Sequence, residues 1–145
     1  MVLPGFYGRN ANGDIQLLGR NGTDYSAAAI AAATGAGLCQ IWKDVDGFFS
    51  SYPRIVTNAR CLEEVSYDEA MELTYFGAKV ISAKALTPLA ANRIPCEVRN
   101  TYDPSKPGTL VHGEARRAEV VRGISHLQDV SSITLQGGGL RGRVG

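Results

Sequence analysis

Gly19-Arg20-Asn21-Gly22-Thr23-Asp24 runs without a break into Tyr25-Ser26-Ala27-Ala28-Ala29-Ile30-Ala31-Ala32-Ala33-Thr34, then Gly35-Ala36-Gly37 and Leu38-Cys39-Gln40-Ile41-Trp42. This stretch decides the fold class. Alanine has the highest helix propensity and little bulk, so residues 25–34 predict a helix able to lie close against a sheet, with Gly35-Ala36-Gly37 as its stop. The apolar run at 38–42 predicts a buried strand of the kind found in parallel sheets, and Asp44-Val45-Asp46-Gly47 supplies the turn after it. A loop, a helix and a parallel strand in that order indicate an α/β protein.

Working outward, Leu3-Pro4-Gly5-Phe6 reads as the end of a strand, and Asn10-Ala11-Asn12-Gly13-Asp14 as a hairpin turn before Ile15-Gln16-Leu17-Leu18. Downstream, Ser66 with Glu69 three residues later has the spacing of a capping box. It predicts a helix with Ala70, Met71, Leu73 and Phe76 on its apolar face, ending near Gly77. A further helix is expected over 83–92, interrupted at Pro88, with strands at 94–99 and 109–111. Residues 112–122 are charged and lack an apolar period, as a linker would, while 130–135 alternate like a half-buried strand opening a second unit.

The length of 145 residues fits one compact unit rather than two full-size domains. No apolar run approaches the ~20 residues that cross a bilayer. Lys+Arg 15 against Asp+Glu 14, with no basic block, excludes the electrostatic footprint of a nucleic-acid binder. Cys39, Cys61 and Cys96 are far apart and outside any C-x-x-C pair, so neither a disulfide framework nor a zinc site is expected, and no metal ligand is assigned. With no signal-peptide pattern at the start, the expected compartment is the cytoplasm.

Three clusters could carry chemistry. Glycines at a helix start let backbone approach an anion that the free N–H groups stabilise, and Arg20 adds a fork for a carboxylate or phosphate; an ordinary structural turn has the same composition. Lys43-Asp44-Val45-Asp46-Gly47 puts two carboxylates at the carboxyl end of a strand, where ligands of open α/β sheets bind, though a solvated Asp-rich turn reads the same way. Lys79 follows a helix end, where a cation is also favourable for the helix dipole alone. His112 and His126 have no partner at ligand spacing.

The wording and order of 18–28, 41–47, 66–73 running into Tyr75-Phe76-Gly77-Ala78-Lys79-Val80, Asn100-Thr101 and Pro107-Gly108-Thr109-Leu110 closely resemble aspartate kinases of the amino-acid kinase family. The tail from Gly123 is similar to the opening of the regulatory ACT region in bifunctional aspartate kinase–homoserine dehydrogenases. The resemblance implies the three-layer αβα amino-acid kinase (carbamate kinase-like) fold. Residues 1–111 would be its C-terminal, nucleotide-binding half, 112–122 a linker and 123–145 an incomplete ACT-like α+β segment.

The implied activity is ATP-dependent phosphorylation of the side-chain carboxylate of L-aspartate, with Mg²⁺ carried by ATP, in a homo-oligomeric full-length protein. By motif, Asp24 and Lys79 would be catalytic, and Arg20, Gly22, Thr23 and Asp24 would face the amino acid. Lys43, Asp44, Phe49, Arg54, Lys79 and Val80 would face the nucleotide. The sequence departs from the family pattern at Lys43, where Thr is common, at Tyr52, where Asp usually precedes Pro53-Arg54, and at Ser82-Ala83, where His-Pro is common. The family's Lys-Phe-Gly-Gly segment is absent, so the chain reads as a truncated kinase with an open sheet edge. The alternative is a noncatalytic nucleotide-binding or interaction fragment that pairs with a complementary N-terminal piece.

Overall fold

The computed structural model describes residues 1–114, 121–127 and 129–131. Its centre is a four-stranded sheet made of β3 (Cys39–Lys43), β4 (Glu64–Ser66), β5 (Cys96–Asn100) and β6 (Thr109–His112), in the order β3-β5-β6-β4. β5 lies parallel to β3 and antiparallel to β6, which is parallel to β4. Register places Cys39, Cys96, Val111 and Val65 in one row across the sheet, and Ile41, Val98 and Thr109 in the next, all buried on one face.

The intervening residues point the other way. Gln40 donates to Glu97 at 2.6 Å, Arg99 stacks over the Trp42 ring at 5.3 Å, and His112 meets Glu64 at 3.1 Å. The expected burial of 38–42 on both sides is therefore corrected: β3 alternates, with Cys39 and Ile41 in the core and Trp42 exposed.

Three helices cover the apolar face. α1 (Gly22–Thr34) starts three residues earlier than the alanine run suggests, because Asn21 takes a left-handed conformation (φ 61°) that turns the chain into the helix. It ends at Gly35, also left-handed, whose N–H and that of Ala36 close back on the last turn. α2 (Tyr67–Tyr75) carries the expected capping box: Ser66 Oγ accepts from Glu69 N, and Glu69 accepts from Ser66 N at 2.7 Å.

α3 (Ala83–Ala91) continues through Pro88 instead of breaking there. Proline inside a helix costs about 3 kcal/mol, but Leu86 and Leu89 are wholly buried and each contributes about 1.5–3 kcal/mol by leaving water. Ala28 and Ala31 on α1 and Ala85 on α3 are also buried, so these two helices pack with little side-chain bulk between them.

A separate hairpin, β1 (Tyr7–Arg9) paired with β2 (Ile15–Leu17), precedes α1. Its turn is the predicted one, with Asn10 Oδ1 accepting from the N–H groups of Asn12 and Asp14. The strand expected to end at 3–6 begins instead at Tyr7, while Phe6 O accepts from Leu18 N at 3.0 Å. β4 is not foreseen by the sequence reading. Most of the predicted strand at 130–135, of the linker and of the ACT-like segment lies outside the described residues.

Candidate active site

Topology gathers the functional loops at one end of the sheet. β3 and β5 run parallel, so α1, which precedes β3 and must return the chain to its start, has its N-terminus beside the carboxyl end of β3. β4 runs the opposite way, so α2 climbs back and its C-terminal turn, 76–82, reaches the same end before α3 descends to β5. Residues 18–24, 44–63, 76–82 and 100–108 therefore share one rim.

Within that rim the structure joins two of the sequence candidates directly. Lys43 Nζ at the end of β3 donates to Asp24 Oδ2 in the first turn of α1 at 2.6 Å, with side chains 21% and 12% exposed. Lys43, assigned to the nucleotide side by resemblance, thus reaches across to the first turn of α1. Gly22 begins that turn against Leu18: an added Cβ would stand 2.6 Å from Leu18 Cβ. Thr23 follows it, and Arg20 is exposed one residue before the left-handed Asn21.

The loop after β3 is held from below by Thr109. Its buried Oγ1 accepts from Phe48 N at 2.9 Å and donates to Leu62 O at 2.6 Å, and Leu62 N returns a bond to Phe48 O at 2.7 Å. Gly47 (φ 141°) makes this possible, since any Cβ there would collide with Thr109 Oγ1. Asp46 is fixed on the neighbouring side, accepting from Asn100 Nδ2 at 2.6 Å and Lys106 Nζ at 2.7 Å. Those bonds, the Lys106 one first, hold its carboxyl below the usual range.

Asp46, Phe49, Cys61, Glu63, Lys106, Pro107 and Gly108 line a cleft of about 360 Å³. Asn100, Lys106 and Thr109 were missed as supporting residues. Their partners are 47 to 61 positions away, and no local spacing reveals them.

Phe49 bridges to Cys61 and is half-buried, while Asp44, Arg54 and Lys79 are exposed and Val80 is buried beside Lys79. Among the described residues, Arg20, Arg54 and Lys79 have no carboxylate partner, in contrast to Lys43, Lys106 and Arg122. The arrangement offers a helix start and three unneutralised cations on three loops at one rim, which suits ligands carrying several negative charges.

Comparison with known proteins identifies the family. The model of the amino acid kinase family matches residues 1–100. A bifunctional aspartokinase/homoserine dehydrogenase of Haemophilus influenzae is 46% identical over 146 residues, covering all of this chain and 18% of that protein. Among solved structures, Clostridium acetobutylicum aspartate kinase superposes with a TM-score of 0.77 at 38% identity, over 84% of this chain and 29% of that one. E. coli aspartokinase III in complex with aspartate and ADP gives 0.76 at 38% identity, over 82% and 27%. The chain thus spans under a third of each of these relatives, and it belongs to the amino acid kinase family.

Proposed function

We propose that this chain serves aspartate kinase activity, supplying the nucleotide side of the site and the part that grips the amino acid's α-carboxylate. The observation that carries the reading is the rim itself: the α1 start with exposed Arg20, the Lys43–Asp24 pair, and exposed Arg54 and Lys79 on separate loops at one end of the sheet. An aspartokinase of the same fold binds aspartate and ADP, as its crystal structure records.

In this reading Arg20 pairs with the α-carboxylate of L-aspartate, while Gly22 and Thr23 present backbone at the helix start. Asp24 orients Lys43 and the substrate. Asp44, Phe49, Arg54, Lys79 and Val80 face ATP, with the two cations on its phosphates. Mg²⁺ bound to the phosphates supplies further charge neutralisation.

The reaction forms a bond between a carboxylate oxygen of aspartate and the γ-phosphorus, and breaks the bond from that phosphorus to the bridging oxygen, releasing ADP and 4-phospho-L-aspartate. The attacking oxygen is already anionic, so no proton is removed from it, and the work of the residues is alignment and charge neutralisation. The longer protein would act as a homo-oligomer in the cytoplasm, a reducing compartment that suits the three free thiols. No helix among the described residues is long and apolar enough to cross a membrane.

The test is hydroxylamine trapping of acyl phosphate with MgATP and L-aspartate, alongside calorimetric titration of ATP, on the 145-residue chain. ATP binding with aspartyl hydroxamate formation is the expected result for a self-sufficient site. ATP binding without hydroxamate supports the second reading, a nucleotide-binding half that needs a complementary segment. Absence of both from a folded sample overturns the assignment for this chain.

A further inference from the structure

Residues 121–127 close onto the rim from outside and touch both loops assigned to the nucleotide. Ile124 N donates to Ser50 O at 2.9 Å, one residue after Phe49. Ser50 is already tied to the returning strand of its loop, since its N–H donates to Arg60 O at 2.8 Å and its hydroxyl accepts from Arg60 N. The Ile124 bond therefore adds a third chain to a paired loop. Two residues further, the His126 ring lies 5.1 Å from that of Tyr52, which is two positions before Arg54.

The same short segment reaches the other loop. The His126 carbonyl and Leu127 lie over Gly77 (φ 117°), where any Cβ would collide with the His126 carbonyl oxygen, so the contact requires glycine two residues before Lys79. The segment is anchored at its start by Arg122, which pairs with Glu69 at 3.1 Å and donates to Glu64 O. Gly123 seats against Leu73, with Phe49 O nearby.

We propose that residues 121–127 form a clasp in which Arg122, Ile124 and His126 act as positioning residues for the loops carrying Phe49, Arg54, Lys79 and Val80, and so set nucleotide affinity. The ligand rests on the nucleotide reading given above; the clasp rests on the contacts themselves. Tyr52 gives the clasp its aromatic contact. Its ring meets that of His126 in a tilted arrangement, 46° between planes, so the contact depends on an aromatic side chain at both positions.

The test compares wild type, His126→Ala and His126→Phe in the 145-residue chain, reading ATP affinity by calorimetry, backbone hydrogen exchange at 49–56 and 77–80, and the melting temperature. His126→Ala is expected to weaken ATP binding by about threefold to tenfold, the size of one lost aromatic pair, and to speed exchange in both loops. His126→Phe, which keeps a ring for Tyr52, is expected to restore both, while the melting temperature shifts little in either variant. That rescue separates positioning from general destabilisation.

Unchanged exchange at both loops in His126→Ala overturns the clasp whatever the nucleotide does. Faster exchange with unchanged ATP affinity overturns its link to the nucleotide. A wild-type chain that binds no ATP while His126→Ala still speeds exchange refutes the nucleotide reading and supports the clasp.

Discussion

Thr109→Val should be among the most damaging conservative substitutions in this protein. Thr109 is wholly buried, and its hydroxyl both accepts from Phe48 N at 2.9 Å and donates to Leu62 O at 2.6 Å. Valine keeps the shape and removes both bonds, leaving Phe48 N–H without its acceptor and Leu62 O with only the long contact from Cys61 Sγ at 3.9 Å. A buried polar group stripped of its partner costs about 1–3 kcal/mol, so the pair costs about 2–4 kcal/mol once local relaxation is allowed. Thr109→Ser keeps the hydroxyl and loses one methyl, which costs about 1 kcal/mol. Urea unfolding of both variants at neutral pH measures the difference. Because Phe48 and Leu62 frame the loop bearing Phe49 and Arg54, Thr109→Val should also accelerate hydrogen exchange there more than at α3. If Thr109→Val proves as stable as Thr109→Ser, within about 0.5 kcal/mol, the claim that this hydroxyl anchors the loop is wrong.

A double-mutant cycle of Asp24→Asn and Lys43→Met should give a coupling of about 1 kcal/mol, above that of exposed pairs because both side chains are largely covered, and a value near zero would mean the pair is incidental. Asp46 is held below the usual carboxylate range by Lys106 and Asn100, so its contribution is present above the unfolded value near about 3.9 and is lost as pH falls through the lower folded value. The stability gap between wild type and Asp46→Asn should therefore close on acidification in urea titrations, and a gap that stays constant into strong acid would rule this out. Lys106 is shifted upward by the same pair, so its part is present below the ordinary lysine range and fades only as pH rises through its raised value. Cys39 and Cys96 are buried neighbours on β3 and β5, and the Cys96 thiol is pushed up by its hydrogen bond to Cys39 and by burial. An aromatic disulfide reagent should label at most Cys61, slowly, in the native protein and all three thiols in denaturant; rapid native labelling of two or more would contradict the packing.

The parts of the fold that were legible are those decided locally. The capping box at Ser66 and Glu69, the left-handed stop at Gly35 and the Asn10 turn each need only a few adjacent residues, and each forms as read. β4 escaped notice because it is three residues long with one apolar member, Val65, and is defined by pairing with β6 more than forty positions away. Gln40 and Trp42 were read into a doubly buried strand, but their environment is set by Glu97 and Arg99 on β5, which the run itself does not contain. Pro88 was read as a break because its local cost is plain, whereas the burial of Leu86 and Leu89 that offsets it is tertiary. The site follows the same division. Motif wording singles out these loops, but only the tertiary fold shows Lys43 on Asp24, Asp46 between Asn100 and Lys106, and His126 against Tyr52.

Six cations at or beside the rim fall into two kinds. Lys43, Lys106 and Arg122 each have a carboxylate within hydrogen-bonding reach, and in each case the pair joins segments distant in sequence: α1 to β3, the loop at 46 to the loop at 106, the clasp to α2. These cations hold the frame, and removing one leaves a partner charge behind. Arg20, Arg54 and Lys79 are exposed, sit on three different loops, and have no carboxylate among the described residues. On the proposed reading Arg20, Arg54 and Lys79 receive anions that arrive from outside. Under the proposed function those are a dicarboxylate and a polyphosphate, two ligands that repel each other and must nevertheless meet. On that reading the frame cations fix the distance between the loops, the free ones offset the repulsion, and the proposed clasp keeps the nucleotide loops where both effects apply at once.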